Sequence, residues 1–223
     1  MDRRPIYLDY NATTPIDPRV KEAILPYLEE HFGNPSTTYI YGQRAKEAVK
    51  KAREQAAWLI GAQPEEIIFT SGGSESDNHA IIGAAMANLR KGKHIITSRI
   101  EHPAVMKTCR YLEDRLGFSV TYVPVDGTGL VSPRDVQAAI TDKTTLITIM
   151  HANNEVGTVE PIEEIGEIAR EQKIIFHTDA AQSCGKIEVD VRKLKVDLLT
   201  MAGHKLYAPK GIGVLFIRKG TAI

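Results

Sequence analysis

The stretch EIIFTSGGSESDNHAIIGAAMANLRKGKHIITS, residues 66–98, decides the fold. It holds two short apolar runs, EIIFT at 66–70 and HIITS at 94–98, joined by a segment of helical character over 74–90. The runs are continuous and do not alternate apolar with polar residues. Strands buried on both faces read that way, and parallel sheets flanked by helices produce them. Each run gives way at once to small and polar residues, which marks its end.

The same rhythm continues downstream. A helix is expected over 103–116, a strand at SVTYV (119–123), a short helix after Ser132 and a strand at TLITIM (145–150). A helix over 161–171 and strands at IIFHT (174–178) and LLTM (198–201) follow. Upstream, a first helix is expected over 18–30, with Asp17 as N-cap and Pro18 at its first position. FGNPSTTYIYG (32–42) reads as a loop. QRAKEAVKKAREQAAWLI (43–60) reads as a second helix with Ala45, Val49, Ala52, Ala56 and Leu59 on one face. The expected fold class is α/β: a three-layer α/β/α sandwich around a mostly parallel sheet.

Composition excludes several classes. The 223 residues are 43% hydrophobic and 25% charged, with 28 basic and 28 acidic side chains and a net charge of zero. Such a balance gives no footprint for nucleic acid. No run of 18 apolar residues exists, and MDRRPIYLDY lacks a signal core, so no membrane span or leader is expected. Cys109 and Cys184 form no CxxC pair and no disulfide framework. A cytoplasmic protein fits these features.

In open parallel sheets, function gathers where strands end. SGGSESDN (71–78) joins glycines to a helix start, an arrangement that binds anions or simply caps a helix. It matches neither GxGxxG nor a Walker A loop. His102 precedes Pro103 and reads as a cap or as an imidazole facing the strand ends. Asn153 and Asn154 suit either turn chemistry or ligand contacts. Asp179 ends an apolar run, where a carboxylate is costly unless it meets a cation or several donors. Gln182 follows three residues on, and LLTM leads into AGHKL with Lys205. His177, Asp179 and His204 lack the further carboxylates of a metal centre, and no metal is expected.

One ligand uses an anion site, an acid and a lysine together: pyridoxal 5'-phosphate. Its phosphate suits a helix N-terminus, its ring nitrogen a carboxylate and its aldehyde an amine. A lysine in a partly dry pocket also loses some of its basicity, which favours that chemistry.

The segments YLDYNATTP (7–15), FGNPST (32–37), FTSGGSESDN (69–78), EHPAV (101–105), HANNEVGTVEPI (151–162), HTDAAQSCGK (177–186) and AGHKLYAPKGIGVLFIR (202–218) resemble the cysteine desulfurases of the NifS/IscS type. These are class-V members of the fold-type I pyridoxal-phosphate enzymes. The resemblance runs from about residue 5 to the last residue. It implies that Lys205 bonds the cofactor and moves protons, with His102 stacked on the ring. It implies that Asp179 pairs with the ring nitrogen, that Gln182 meets the phenolic oxygen with Asn154 beside it, and that Gly73, Ser74 and His204 hold the phosphate. The family often has Ser where this chain has Ala202, a loss worth about 1 kcal/mol of cofactor binding.

The resemblance further implies an N-terminal segment (1–15) near the active site, a cofactor-binding large domain (16–223) and a smaller C-terminal domain absent from this chain. That domain carries the substrate-binding arginine and the sulfur-accepting cysteine in the family. Cys109 reads as a core residue, with Val105, Leu112 and Leu116 at helical spacing, and Cys184 as a buried residue in a tight turn. The implied reaction converts L-cysteine to L-alanine, with sulfur passed to a cysteine persulfide for iron–sulfur cluster or thio-cofactor synthesis. A homodimer and a sulfur-acceptor or iron–sulfur scaffold protein are the implied partners. Two other readings stay open: a non-catalytic cofactor-binding fragment or scaffold, and a selenocysteine lyase.

Overall fold

The computed structural model describes residues 5–223, so residues 1–4 of the expected N-terminal segment lie outside the described residues. Along the chain come α1 (Pro18–Glu29), α2 (Ile40–Leu59), β1 (Ile67–Thr70), α3 (Gly73–Ala87), β2 (His94–Ser98), α4 (Pro103–Leu116) and β3 (Ser119–Val123). Then follow α5 (Pro133–Ala139), β4 (Thr144–Thr148), α6 (Ile162–Glu171), β5 (Ile175–Asp179), β6 (Leu198–Ala202) and β7 (Gly213–Ile217).

Among the described residues seven strands pair in one sheet of order β1-β7-β6-β5-β4-β2-β3. β2, β3, β4, β5 and β6 run parallel to one another, and β7 runs antiparallel to both β1 and β6. The mostly parallel sheet read from the apolar runs is therefore present, with β7 as the reversed strand.

Side chains alternate along the strands and divide the core into two layers. Ile96, Ile147, Phe176, Leu199 and Phe216 pack with Ala57, Val136, Ile162 and Ile165 from α2, α5 and α6. Ile95, Leu146, Leu198 and Leu215 pack with Ala80, Ile81, Ala84, Val105 and Leu112 from α3 and α4. Burial of both sheet faces is the physical reason the strands read as unbroken apolar runs.

The caps follow the sequence signals. Asp17 accepts the Arg19 N–H at 2.8 Å, and His102 caps α4 through Nδ1, which accepts the Ala104 N–H at 3.1 Å. Several boundaries differ from expectation, α3 for instance ending at Ala87. α2 begins at Ile40, inside the stretch read as a loop, because Asn34 and Thr37 close the preceding turn by themselves. Its expected apolar face is only partly covered: Ala45 is buried, whereas Val49 is exposed. β4 ends at Thr148, where the apolar Ile149 and Met150 leave the ladder and stay buried. Asp179 is the last residue of β5 and pairs in register with Thr200.

α1 buries none of its residues, and Leu28, Phe32 and Trp58 are exposed. Among the described residues no helix is long and apolar enough to cross a membrane.

Candidate active site

At the C-terminal edge of the parallel strands lies a cavity of about 330 Å³. Its walls include Gly73, Ser74, His102, Asn154, Asp179, Gln182, His204 and Lys205. Every site residue read from the sequence therefore faces one space, although the contributing strands are spread across the sheet.

The exit of β1 forms one end. β7 approaches it so closely that a Cβ on Gly213 would lie 2.5 Å from the Gly72 backbone. Only glycine permits that contact. The turn then delivers the start of α3, whose first N–H groups, at Gly73, Ser74 and Glu75, have no acceptor within the helix. The Glu75 carboxylate folds back onto the Ser71 N–H at 2.6 Å, and hydrogen bonds from the Ser71 side chain and then its N–H hold the acid below the usual range. Ala202 packs against this helix start, its Cβ 3.3 Å from the position of a Cβ on Gly73.

Asp179 is buried, and one carboxylate oxygen accepts the Ala181 N–H at 2.9 Å. Burial pushes its acid up, against the pull of that N–H and of His102 and Lys205. Beside it stands Asp77, 1% exposed, on the sheet-facing side of α3 with Ala80 and Ile81. Burial also raises Asp77, and the Asp179 charge raises it further. Carboxylate oxygens of Asp77 and Asp179 and a ring nitrogen of His102 lie within 4.8 Å of one another. His102 spends Nδ1 on the helix cap, so it is the Nε2 side that is left to face the two acids.

The two asparagines have divided the roles left open for them. Asn153 performs turn chemistry: its Oδ1 accepts the Glu155 and Val156 N–H groups, and its Nδ2 donates to Ile100 O. Asn154 faces the cavity and directs its Nδ2 to Glu155 at 2.7 Å.

The site floor includes a segment remote in sequence. Lys205 Nζ donates to the carbonyls of Asn11 and Ala12, the latter at 3.0 Å. Gln182 Nε2 donates to Asn11 O at 2.8 Å, and its Oε1 accepts from Lys186 at 2.8 Å. His204 Nδ1 meets the Thr13 hydroxyl at 3.1 Å. Burial, then the charge of Lys186, lowers the basicity of Lys205. Burial lowers His204 as well. Lys210 is exposed, as a turn residue should be, yet it borders the cavity.

Sequence reasoning passed over Asp77 and the partners of Lys205. Helical spacing from Asp77 to Ala80, Ile81 and Ala84 was the available signal, since it puts the acid on the buried face. Contacts of residues 11–14 leave no local signal. Both thiols are fully buried, and burial pushes each up to about 12, so neither is a nucleophile.

The arrangement fits the cofactor inferred above. Unpaired N–H groups at a helix start suit a phosphate, a buried acid suits a ring nitrogen, and a weakened amine suits an aldehyde.

A family model described as aminotransferase class-V matches residues 6–222. The chain belongs to the class-V aminotransferase family. The cofactor of these enzymes is pyridoxal 5'-phosphate. Among curated relatives of this class-V chain, the cysteine desulfurase IscS of Methanosarcina thermophila is 56% identical over 222 residues, covering 100% of the chain and 55% of that protein. A solved structure described as SspA in complex with cysteine is 48% identical with a TM-score of 0.94, covering 97% of the chain and 63% of its own. The apo cysteine desulfurase of Thermococcus onnurineus NA1 is 34% identical with a TM-score of 0.89, covering 96% and 54%. The chain spans about half the length of the curated relatives it matches.

Proposed function

We propose that this chain is the cofactor-holding part of a cysteine desulfurase, which turns L-cysteine and an acceptor thiol into L-alanine and a persulfide. The observation that carries the reading is the convergence of Lys205, Asp179, His102, Gln182 and the α3 start on one cavity. Identity to IscS-type relatives supports the choice of substrate.

Bound in this cavity, pyridoxal phosphate supplies an electron sink for bond breaking at the amino acid. The residues of the chain do the rest. The N–H groups of Gly73 and Ser74 and His204 hold the phosphate. Asp179 keeps the ring nitrogen protonated, because an anion beside it favours the charged form. His102 covers one ring face, and Gln182 and Asn154 hold the phenolic oxygen. Lys205 holds and moves a proton at the substrate Cα, for which an amine weakened by burial is suited. It first leaves the carbonyls of Asn11 and Ala12, so residues 1–15 act as a segment serving the site and 16–223 as the cofactor domain.

The acceptor thiol is neither Cys109 nor Cys184, both buried. A smaller C-terminal domain supplying that thiol, a homodimer, a sulfur-acceptor protein and a cytoplasmic setting belong to the same proposal. The test is to add pyridoxal phosphate to the purified protein and record the visible spectrum with and without L-cysteine. A visible band that changes with L-cysteine supports the reading. A wild-type protein with no band, or Lys205→Ala with an unchanged one, rules it out.

A further inference from the structure

Asp77 lines the cavity, yet none of the roles above uses it. Its Oδ1 is buried and, among the described residues, has no hydrogen-bond partner. The nearest base is His177 Nε2 at 3.7 Å, on β5 two residues before Asp179. That imidazole is committed elsewhere. Its Nδ1 meets the Thr148 hydroxyl at 2.8 Å and its Nε2 the Thr200 hydroxyl at 3.1 Å. Full burial holds it neutral, with a pKa lowered to about 3. No cation from β5 therefore compensates Asp77.

The other groups facing Asp77 are Asp179 at the end of β5, Thr200 on β6, and Glu101 and His102 ahead of α4. Two of these are acids. Of its neighbours only the Thr200 hydroxyl donates to Asp77, and its Oδ1 stays unpartnered beside the Asp179 charge. A buried carboxylate so placed takes up a proton, because the neutral acid loses less on leaving water. Asp179 is better provided, with the Ala181 N–H at 2.9 Å and the charges of His102 and Lys205 around it. The member with fewer donors and no cation beside it is the one that favours the neutral form.

We propose that Asp77 sets the charge of Asp179: at neutral pH Asp77 is the neutral acid of the pair, leaving Asp179 as the pair's anion facing the cavity. What Asp179 meets there rests on the proposed function. The proton on Asp77 is a property of the chain alone. One anion then faces one ring-nitrogen cation, and a second buried charge behind it is avoided.

The experiment labels aspartate side-chain carboxyls with carbon-13 and records NMR spectra of the cofactor-free protein at pH 7. Glu101, another buried acid, stays silent under that labelling. The expected result is one carboxyl resonance in the neutral-acid range, correlated with the β protons of Asp77, and Asp179 in the carboxylate range. Asp77→Asn should remove the neutral-acid resonance. As a neutral mimic it should also keep the visible spectrum of the bound cofactor and its dissociation constant within about threefold. A spectrum with every aspartate ionised, or a neutral acid assigned to Asp179, overturns the proposal. So does a loss of cofactor affinity of tenfold or more in Asp77→Asn. If that variant does not fold, the wild-type correlation to the Asp77 β protons decides. If the wild type shows no cofactor band, the proposed function fails, while titration of the cofactor-free protein still decides the fate of Asp77.

Discussion

Lys205 Nζ donates to the Ala12 carbonyl at 3.0 Å, across 193 positions of sequence. Through this bond and its neighbour to Asn11, the N-terminal segment holds the amine at the cavity wall before any cofactor reacts with it. Lys205→Ala should therefore abolish the visible band of bound cofactor. Stability should change little, by about 1 kcal/mol, because only hydrogen bonds to exposed carbonyls are lost. Absorbance and a thermal melt on the same sample check both parts.

The strand exits were legible from sequence because each joins an apolar run to a polar residue a few positions away. His102, Asp179, Gln182 and Lys205 were all found that way. The resemblance implied that residues 1–15 lie near the site, but the bond from Lys205 to Asn11 was not legible, since it leaves no periodicity. Asp77 was legible in principle from its spacing to Ala80 and Ile81 but was hidden within a run of polar helix-start residues. The early start of α2 was missed because Gly, Pro and Ser signals extend to Thr37 and mask the helical run at Ile40.

Thr14 fastens the same segment. It is 1% exposed, its hydroxyl donates to His204 O at 2.8 Å, and it accepts the Tyr207 N–H at 2.9 Å. Thr14→Val keeps the shape and leaves the Tyr207 N–H unpaired, while His204 O keeps the Thr14 N–H, which should cost about 1–3 kcal/mol. Urea denaturation should show a lower midpoint with an unchanged slope. Cofactor affinity should fall as well, because His204 and Lys205 share the loosened segment.

The thiols give a prediction of silence. Cys109 and Cys184 are buried, and burial pushes both up to about 12. A chromogenic disulfide reagent at pH 8 should label neither in the native protein and both after unfolding. Rapid labelling of native Cys184, abolished in Cys184→Ser, would contradict the assignment of that thiol as inert.

Ala202 is buried against the start of α3. A hydroxyl there adds a donor at the proposed phosphate end. Ala202→Ser should tighten pyridoxal phosphate binding roughly fivefold, the worth of one added hydrogen bond of about 1 kcal/mol. Fluorescence titration measures the change, and an unchanged or weaker dissociation constant would place the phosphate elsewhere.

Glu101 supplies the pH dependence. It is buried, its Oε1 accepts the Ser98 hydroxyl at 2.6 Å and the Met150 N–H at 3.0 Å, and burial raises it from 4.5 to about 8. The folded protein then binds this proton more tightly than the unfolded chain does. The resulting stabilisation is fully present below pH 4.5 and is lost as the pH rises through about 8. The burial of Asp77 and Asp179 acts in the same direction, whereas neutral His177 opposes it on the acid side, costing stability as the pH falls from 6.5 towards 3. Glu101→Gln isolates one contribution, since Gln keeps the acceptor for Ser98 and Met150 without titrating. Relative to the wild type, the variant should gain stability between pH 5 and 8, by on the order of 4 kcal/mol if the whole shift is expressed. Denaturant midpoints at four pH values measure it, and parallel curves for the two proteins would show that Glu101 is already ionised in the folded state.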